Sequence, residues 1–278
     1  MWYGVHARLG AHSDPGLLAR HVEDLGFEAL FFPEHTHIPR DLDESGEDTA
    51  VLRRQAGLLD PFIALAFAAT TTRQLRLGTG VCLIALRDPI LLAKEVATLD
   101  QLCGGRLLFG VGVGSRPEEA VGHGLAPADR FDAALDVLDA TIRIWMSDVA
   151  SFQGRFASFS DLRQGPKPLQ KPHPPVLAGG SSRRVVEEFV RARRCEWFPH
   201  HTPELLENLQ RQDDAGVSVF APPKDHAVLS AYAQSGVRRC VFTLNADDAG
   251  VLDELAALRE FLDGRPGGGA HSHFAHRL

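Results

Sequence analysis

Two kinds of segment in this sequence carry residues that can do chemistry. The first is Glu34-His35-Thr36-His37, a carboxylate and two imidazoles within four positions, directly after the apolar run Ala29 to Phe32 and Pro33. An imidazole at a strand end donates to or accepts from a substrate oxygen near neutral pH, and a neighbouring carboxylate orients it or shares its proton. The same residues allow metal chemistry, because His35 and His37, two positions apart, point the same way along an extended strand. Further ligands would then have to come from other strand ends, where His6, His123 and His200-His201 are available. The end of the last strand offers Leu244-Asn245, with Asp247 only further on. A capping cluster at a loop entry is the plainest alternative.

The second kind is rich in glycine: Gly78-Thr79-Gly80-Val81, Gly110-Val111-Gly112-Val113-Gly114-Ser115-Arg116, and Gly179-Gly180-Ser181-Ser182. Glycine has no side chain to hold a ligand at a distance, so these segments suit a flat ligand lying close against backbone. Gly179 to Ser182 runs directly into a helical pattern, where amides, hydroxyls and the helix dipole can hold a phosphate. A glycine turn with a serine N-cap explains the same residues. Arg116 adds a positive charge for an anion, or is an ordinary surface arginine.

The surrounding pattern alternates strands and helices. Short apolar runs predict strands at Trp2 to Arg8, Ala29 to Phe32, Leu75 to Ile84, Leu107 to Val111, Val176 to Ala178, near Trp197, at Val217 to Ala221 and at Arg239 to Leu244. Helices are predicted from Asp14-Pro15 to Gly26, from Asp60-Pro61 through Ala69, over Pro89 to Leu102, and through Phe131, Leu135, Leu138, Ile142 and Trp145. Weaker helical patterns cover Ser182 to Arg193, Pro203 to Gln212, Asp225 to Gln234 and Val251 to Leu262. Phe152 to Phe159 reads as a small surface hairpin, and Asp41 to Asp48 as an exposed acidic loop. Eight such units in 278 residues fit a closed (β/α)₈ TIM barrel, single-domain over residues 1–263, followed by a glycine- and histidine-rich tail over 264–278 that is expected to be disordered. In such a barrel the chemistry sits at the C-terminal ends of the strands, which is where both kinds of segment fall.

Composition narrows the partners. With 29 basic and 36 acidic residues the net charge is −7, without a basic stripe, so a nucleic-acid or anionic-membrane surface is not expected and a small-molecule substrate is. The four cysteines have no CxxC spacing and read as buried apolar side chains. No apolar run is long enough to span a bilayer, and Met1 to Gly10 does not resemble a signal peptide, so a cytoplasmic location is expected.

Taken in order, Leu75-Arg76-Leu77-Gly78-Thr79-Gly80-Val81, Arg87-Asp88-Pro89, Ala93 to Asp100, Gly104-Gly105-Arg106-Leu107 and Gly110 to Gly114 resemble the luciferase-like monooxygenase superfamily. Within it, the chain is most similar to the coenzyme F-420-dependent oxidoreductase branch. Pro33-Glu34-His35, Asp60-Pro61-Phe62, Arg130-Phe131 and Lys171-Pro172-His173-Pro174-Pro175 add to the likeness, which runs from about Trp2 to Leu262. The resemblance implies a luciferase-like barrel, commonly a homodimer, with a flavin or 8-hydroxy-5-deazaflavin at its mouth. It places Gly80-Val81 at a cis-peptide bulge behind the central ring, Gly112 to Ser115 and Gly179 to Ser182 against the cofactor's side chain and phosphate, and Glu34 and His35 beside the reacting ring edge. The sequence departs from some members in having Ser115-Arg116-Pro117 where they carry a glutamate, with Glu118 and Glu119 just beyond.

The expected function is hydride transfer between coenzyme F-420 and a small organic substrate, with His35 and Glu34 as the catalytic pair. FMN and monooxygenase chemistry form the alternative. A non-catalytic flavin-binding barrel and a metal-dependent hydrolase are further readings from other classes. A dimer contact is expected on the helices Asp60 to Thr72 and Pro89 to Leu102, whose apolar residues exceed the single stripe needed to cover a barrel.

Overall fold

The computed structural model describes residues 1–40, 48–209, 216–244 and 250–264. The acidic loop before Asp48, the end of the helix expected to reach Gln212, Asn245 and Asp247, and the tail beyond Gly264 lie outside the described residues.

Three Asp-Pro pairs start the helices of the first half by one device. Asp14, Asp60 and Asp88 each accept from two backbone amides of the turn that follows, at 2.9–3.0 Å, while proline occupies the first helical position, where no amide is needed. They open α1 (Pro15–Asp24), α3 (Pro61–Thr71) and α4 (Pro89–Leu102). Between α1 and α3 stands α2 (Thr49–Ala56), absent from the sequence expectations because its apolar face is narrow, with Leu52 as its buried residue. A second short helix, α5 (Pro117–Gly122), was missed for the same reason, and the long α6 (Arg130–Met146) follows it.

The strands are β1 (Trp2–Ala7), β2 (Ala29–Phe32), β3 (Arg76–Thr79), β4 (Cys82–Leu83), β5 (Leu107–Gly112), an antiparallel hairpin of β6 (Ala150–Gln153) and β7 (Ser158–Leu162), then β8 (Val176–Gly179), β9 (Glu196–Phe198), β10 (Ser218–Phe220) and β11 (Arg239–Leu244). All except the hairpin pair in parallel, in the order β10-β11-β1-β2-β3-β5-β8-β9. The ring closes between β9 and β10 through Trp197–Val217 and His200–Phe220, with Phe220 N donating to Pro199 O at 2.8 Å. This is the expected eight-unit parallel barrel. One correction concerns the single strand expected over Leu75 to Ile84. It is split at Gly80-Val81, a cis peptide, and its second piece, β4, pairs with Val111 and Gly112 of β5. The remaining helices are α7 (Arg183–Val185), continued as a π-helical stretch over Val186–Arg191, α8 (Leu205–Leu209), α9 (His226–Gln234) and α10 (Val251–Leu262).

Alternation along each strand divides the core. On β2, Leu30 and Phe32 face the helices, whereas Ala29 and Phe31 face the barrel axis with Leu108, Leu177, Phe198 and Val241. At the N-terminal end of the barrel the axial layer is polar. Arg239, 1% exposed, donates to Glu28 at 2.7 Å, Ser218 at 2.9 Å and Glu196 at 3.3 Å, so this buried cation is fully compensated. All four cysteines are buried. Among the described residues no helix is long and apolar enough to cross a membrane.

Candidate active site

A cavity of about 480 Å³ opens at the C-terminal ends of the strands. Glu34, His35, Gly80, Val81, Gly112, Val113, Gly114, Ser115, Gly179, Gly180, Ser181 and Ser182 all line it, so one site gathers most of the residues singled out from the sequence. Three others do not. Gly78 lies under the Phe31 ring, where an added Cβ would come within 2.4 Å of a ring carbon. Thr79 is buried and donates to Gly110 O at 2.6 Å. Arg116 reaches Gln55 Oε1 at 2.7 and 3.0 Å; Gln55, not Arg116, faces the cavity.

The glycines also have a local cause. A Cβ on Gly112 would lie 2.4 Å from Val81 Cγ2, one on Gly179 3.0 Å from Val81 Cγ1, and one on Gly110 2.0 Å from Thr79 O. The bulge between β3 and β4 drives Val81 against the two neighbouring strands, and only glycine there leaves room. Gly114 and Gly180 are needed for conformation instead, with φ of 85° and 118°. Ser182 caps α7, its Oγ accepting from Val185 N at 3.3 Å, while it also borders the cavity.

Glu34 and His35, adjacent in sequence, face different partners. Glu34 is buried; its Oε2 accepts from Leu83 N at 2.6 Å and its Oε1 from Arg87 Nε at 2.9 Å and from Arg87 Nη2. Arg87 in turn lies 4.6 Å over the Phe62 ring and bonds Asp60 at 3.0 Å and Glu95 at 3.2 Å. The expected pairing of His35 with Glu34 is therefore replaced. His35 Nδ1 is 2.9 Å from Oε2 of Glu119, a residue of α5 that is 1% exposed. Glu119 Oε1 accepts from the backbone N–H and the hydroxyl of Thr36, at 2.5 and 3.0 Å. Burial alone would raise the Glu119 pKa, but these bonds from His35 and Thr36 hold it below the ordinary value. Both Glu119 oxygens are acceptors, so the His35 nitrogen facing them carries the hydrogen and Nε2 is the nitrogen left for the cavity.

His37 does not continue an extended strand, because β2 ends at Phe32; its ring turns towards His123, with centroids 5.6 Å apart. Among the described residues no group of three or more His, Cys, Asp or Glu side chains is placed to hold a metal ion. On the neighbouring strand β1, His6 is buried, with Nε2 3.0 Å from Gly80 O and Nδ1 without a partner. Burial, with a smaller contribution from the Arg8 charge, lowers its pKa to about 3, so the ring is neutral. Phe220 is held edge-on between the rings of His6 and His200, at 4.9 and 4.6 Å.

The profile of the luciferase-like monooxygenase family matches residues 14–209, most of the barrel and nearly all of the cavity wall. The chain belongs to this family. An uncharacterized protein of Mycobacterium tuberculosis is 39% identical over 188 residues, which is 66% of either chain. The FMNH(2)-dependent dimethylsulfone monooxygenase of Pseudomonas putida is 38% identical over 144 residues, spanning 51% of this chain and 39% of that one. Both matches thus span less than two thirds of the relative's length. In fold, this luciferase-like chain superposes on monooxygenase RslO1 from Streptomyces bottropensis with a TM-score of 0.77 at 18% identity, covering 95% of this chain and 98% of that one. An F420-dependent secondary alcohol dehydrogenase in complex with an F420-acetone adduct superposes with a TM-score of 0.69 at 15% identity, covering 92% and 97%. Luciferase-like proteins are oxidoreductases and monooxygenases, so the fold and this class of chemistry stand together.

Proposed function

We propose that this protein is an oxidoreductase that holds coenzyme F-420 in the cavity and exchanges hydride between it and a small organic substrate. The observation that carries the reading is His35, set in the cavity wall with Nδ1 fixed by Glu119 and Nε2 open to a substrate oxygen. The cavity also suits a planar ring on a phosphorylated chain. His6 Nδ1 is a buried polar atom lacking a partner, and the Gly179 to Ser182 segment offers backbone groups and two hydroxyls along one edge. When bound, the coenzyme supplies the hydride chemistry; the chain supplies position, water exclusion and the proton. His35 takes or gives that proton at Nε2, depending on the direction of reaction. Glu34, tied to Arg87, holds the strand end that carries His35.

FMN is the second reading, because the 38% identical dimethylsulfone monooxygenase is FMNH(2)-dependent. The preference for F-420 comes from the resemblance of the sequence to the F-420-dependent branch of the family. We further propose a homodimer joined through α3 and α4, where Ile63, Phe67 and Leu91 are exposed apolar side chains.

Titration of the purified protein with F-420 and with FMN separates the readings. Trp197 is a built-in reporter, since its indole N–H donates to Gly180 O at 2.8 Å on the cavity edge. Tighter binding of F-420, followed by a change in deazaflavin absorbance with a panel of alcohols or carbonyl compounds, is the expected result. Tighter binding of FMN with oxygen consumption by its reduced form would overturn F-420 in favour of a monooxygenase. His35→Ala is expected to lower turnover by about 10²-fold or more while leaving cofactor affinity nearly unchanged.

A further inference from the structure

Beyond His35, the structure holds a connected set of polar side chains that neither the sequence motifs nor the family match assigns. Glu119 is its centre. Thr36 Oγ1 lies 3.0 Å from Glu119 Oε1, 3.0 Å from His37 Nδ1 and 2.8 Å from His123 Nε2. A threonine hydroxyl has one hydrogen and two lone pairs. Glu119, ionised, can only accept, so the hydroxyl hydrogen goes to Glu119 and both imidazoles donate to Thr36. Every polar group in the set then has one consistent role: His37 carries its hydrogen on Nδ1, His123 on Nε2 and His35 on Nδ1.

The set is also fixed sterically. A Cβ on Gly122, the last residue of α5, would lie 2.3 Å from His37 Nε2, so the His37 ring lies directly on the helix that carries Glu119. The neighbouring charges are engaged elsewhere: Glu34 with Arg87, and Arg116 with Gln55. Glu118 shares the first turn of α5 without a hydrogen bond to this set among the described residues.

We propose that Glu119 is the positioning residue for His35, and that Thr36, locked by His37 and His123, fixes the direction and charge of Glu119. Glu119 does not reach the cavity and exchanges no atom with substrate. Its carboxylate holds the His35 ring with Nε2 outward and fixes the Nδ1–H tautomer. Thr36 contributes by keeping the second carboxylate oxygen satisfied. The role of His35 in turnover is part of the reading above, and the inference rests on it; the tautomer of His35 is independent of any cofactor.

The test uses the full chain with 15N-labelled histidine, and a kinetic arm with whichever acceptor or donor the cofactor screen yields. In the unaltered protein near neutral pH, long-range 1H–15N spectra should show His35 as the Nδ1–H tautomer. Glu119→Ala should move it towards the Nε2–H form that an unconstrained imidazole prefers. Turnover should fall on the order of 10²-fold at unchanged KM. Glu119→Asp should recover part of the loss. Thr36→Val leaves the direct His35–Glu119 bond in place and serves if Glu119→Ala fails to fold; it should lower the Nδ1–H fraction of His35 and turnover in the same direction by a smaller step. An Nδ1–H tautomer retained in Glu119→Ala, or His35 15N shifts in Thr36→Val superposable on those of the unaltered protein, would overturn the proposal. Failure of both cofactors to bind would defeat the oxidoreductase reading alone, since the spectra still decide whether Glu119 positions His35.

Discussion

Oε1 of Glu34, just after β2, accepts at 2.9 Å from Nε of Arg87, which stands between β4 and α4, and Arg87 together with Leu83 N, not His35, satisfies the Glu34 carboxylate. The guanidinium pKa is raised despite burial, through the charges around it, including Glu34 and Asp60. Arg87→Met removes the partner and leaves Glu34 buried with an uncompensated charge, at a cost of about 3 to 5 kcal/mol. Urea denaturation should show this fall, and Glu34→Gln combined with Arg87→Met should recover part of it; two independent, additive losses would mean that the pair is not coupled.

The Val81–Gly112 contact gives a second test. Gly112→Ala places a methyl 2.4 Å from Val81 Cγ2. Valine is stiff at χ1 and cannot turn aside cheaply, so stability should drop by about 1 to 3 kcal/mol. Adding Val81→Ala should relieve the clash. A thermal midpoint for Gly112→Ala equal to that of the unaltered protein would show that the strand end is not filled by Val81.

Much of this was legible in the sequence because it is local. Asp-Pro pairs cap helices within four residues, and apolar runs ended by glycine mark strands, so the order of eight units and the set of segments at the mouth emerge without any long-range information. The His35–Glu119 bond joins residues 84 apart on elements whose relative placement only the closed barrel decides. Its one local trace is Pro117 followed by two glutamates, the signature of a first helical turn. A second cause of the strand-end glycines was hidden in a similar way: Gly112 and Gly179 pack against Val81, a side chain from another strand that spacing alone does not reveal.

His6 predicts an acid weakness. The folded protein keeps this imidazole neutral down to about pH 3, whereas the unfolded chain protonates it near pH 6.5. Below pH 6.5 the unfolded state therefore binds more protons, and stability falls by at most about 1.4 kcal/mol per pH unit; above it, His6 has no effect. His6→Gln keeps a donor for Gly80 O and removes the titration. Urea midpoints at pH 7 and pH 5, above the window in which Glu119 titrates, should fall in the unaltered protein and fall less in the variant. Equal falls would show that His6 is not the group responsible.

Assembly can be tested on one face. Ile63 and Phe67 are one turn apart on α3, 72% and 59% exposed, and Leu91 on the adjoining α4 is 63% exposed. Sedimentation equilibrium at low micromolar concentration should give a dimer, and Phe67→Glu or Leu91→Glu should yield the monomer with its fold intact. A monomer in the unaltered protein would refute the contact.

The four buried thiols turn the barrel into its own stopwatch. Cys82 lies in β4, Cys103 caps the end of α4, Cys195 precedes β9 and Cys240 lies in β11, so they sample the bulge, an outer helix, one strand of the closing seam and the strand beyond its other side. Burial pushes the pKa of Cys195 and Cys240 up to about 12 and raises those of Cys82 and Cys103. The thiolate is the species that alkylating reagents attack, so each sulfur is silent until its own sector opens. The rate at which each becomes modified would then rank the sectors by how often they come apart, without a single introduced label.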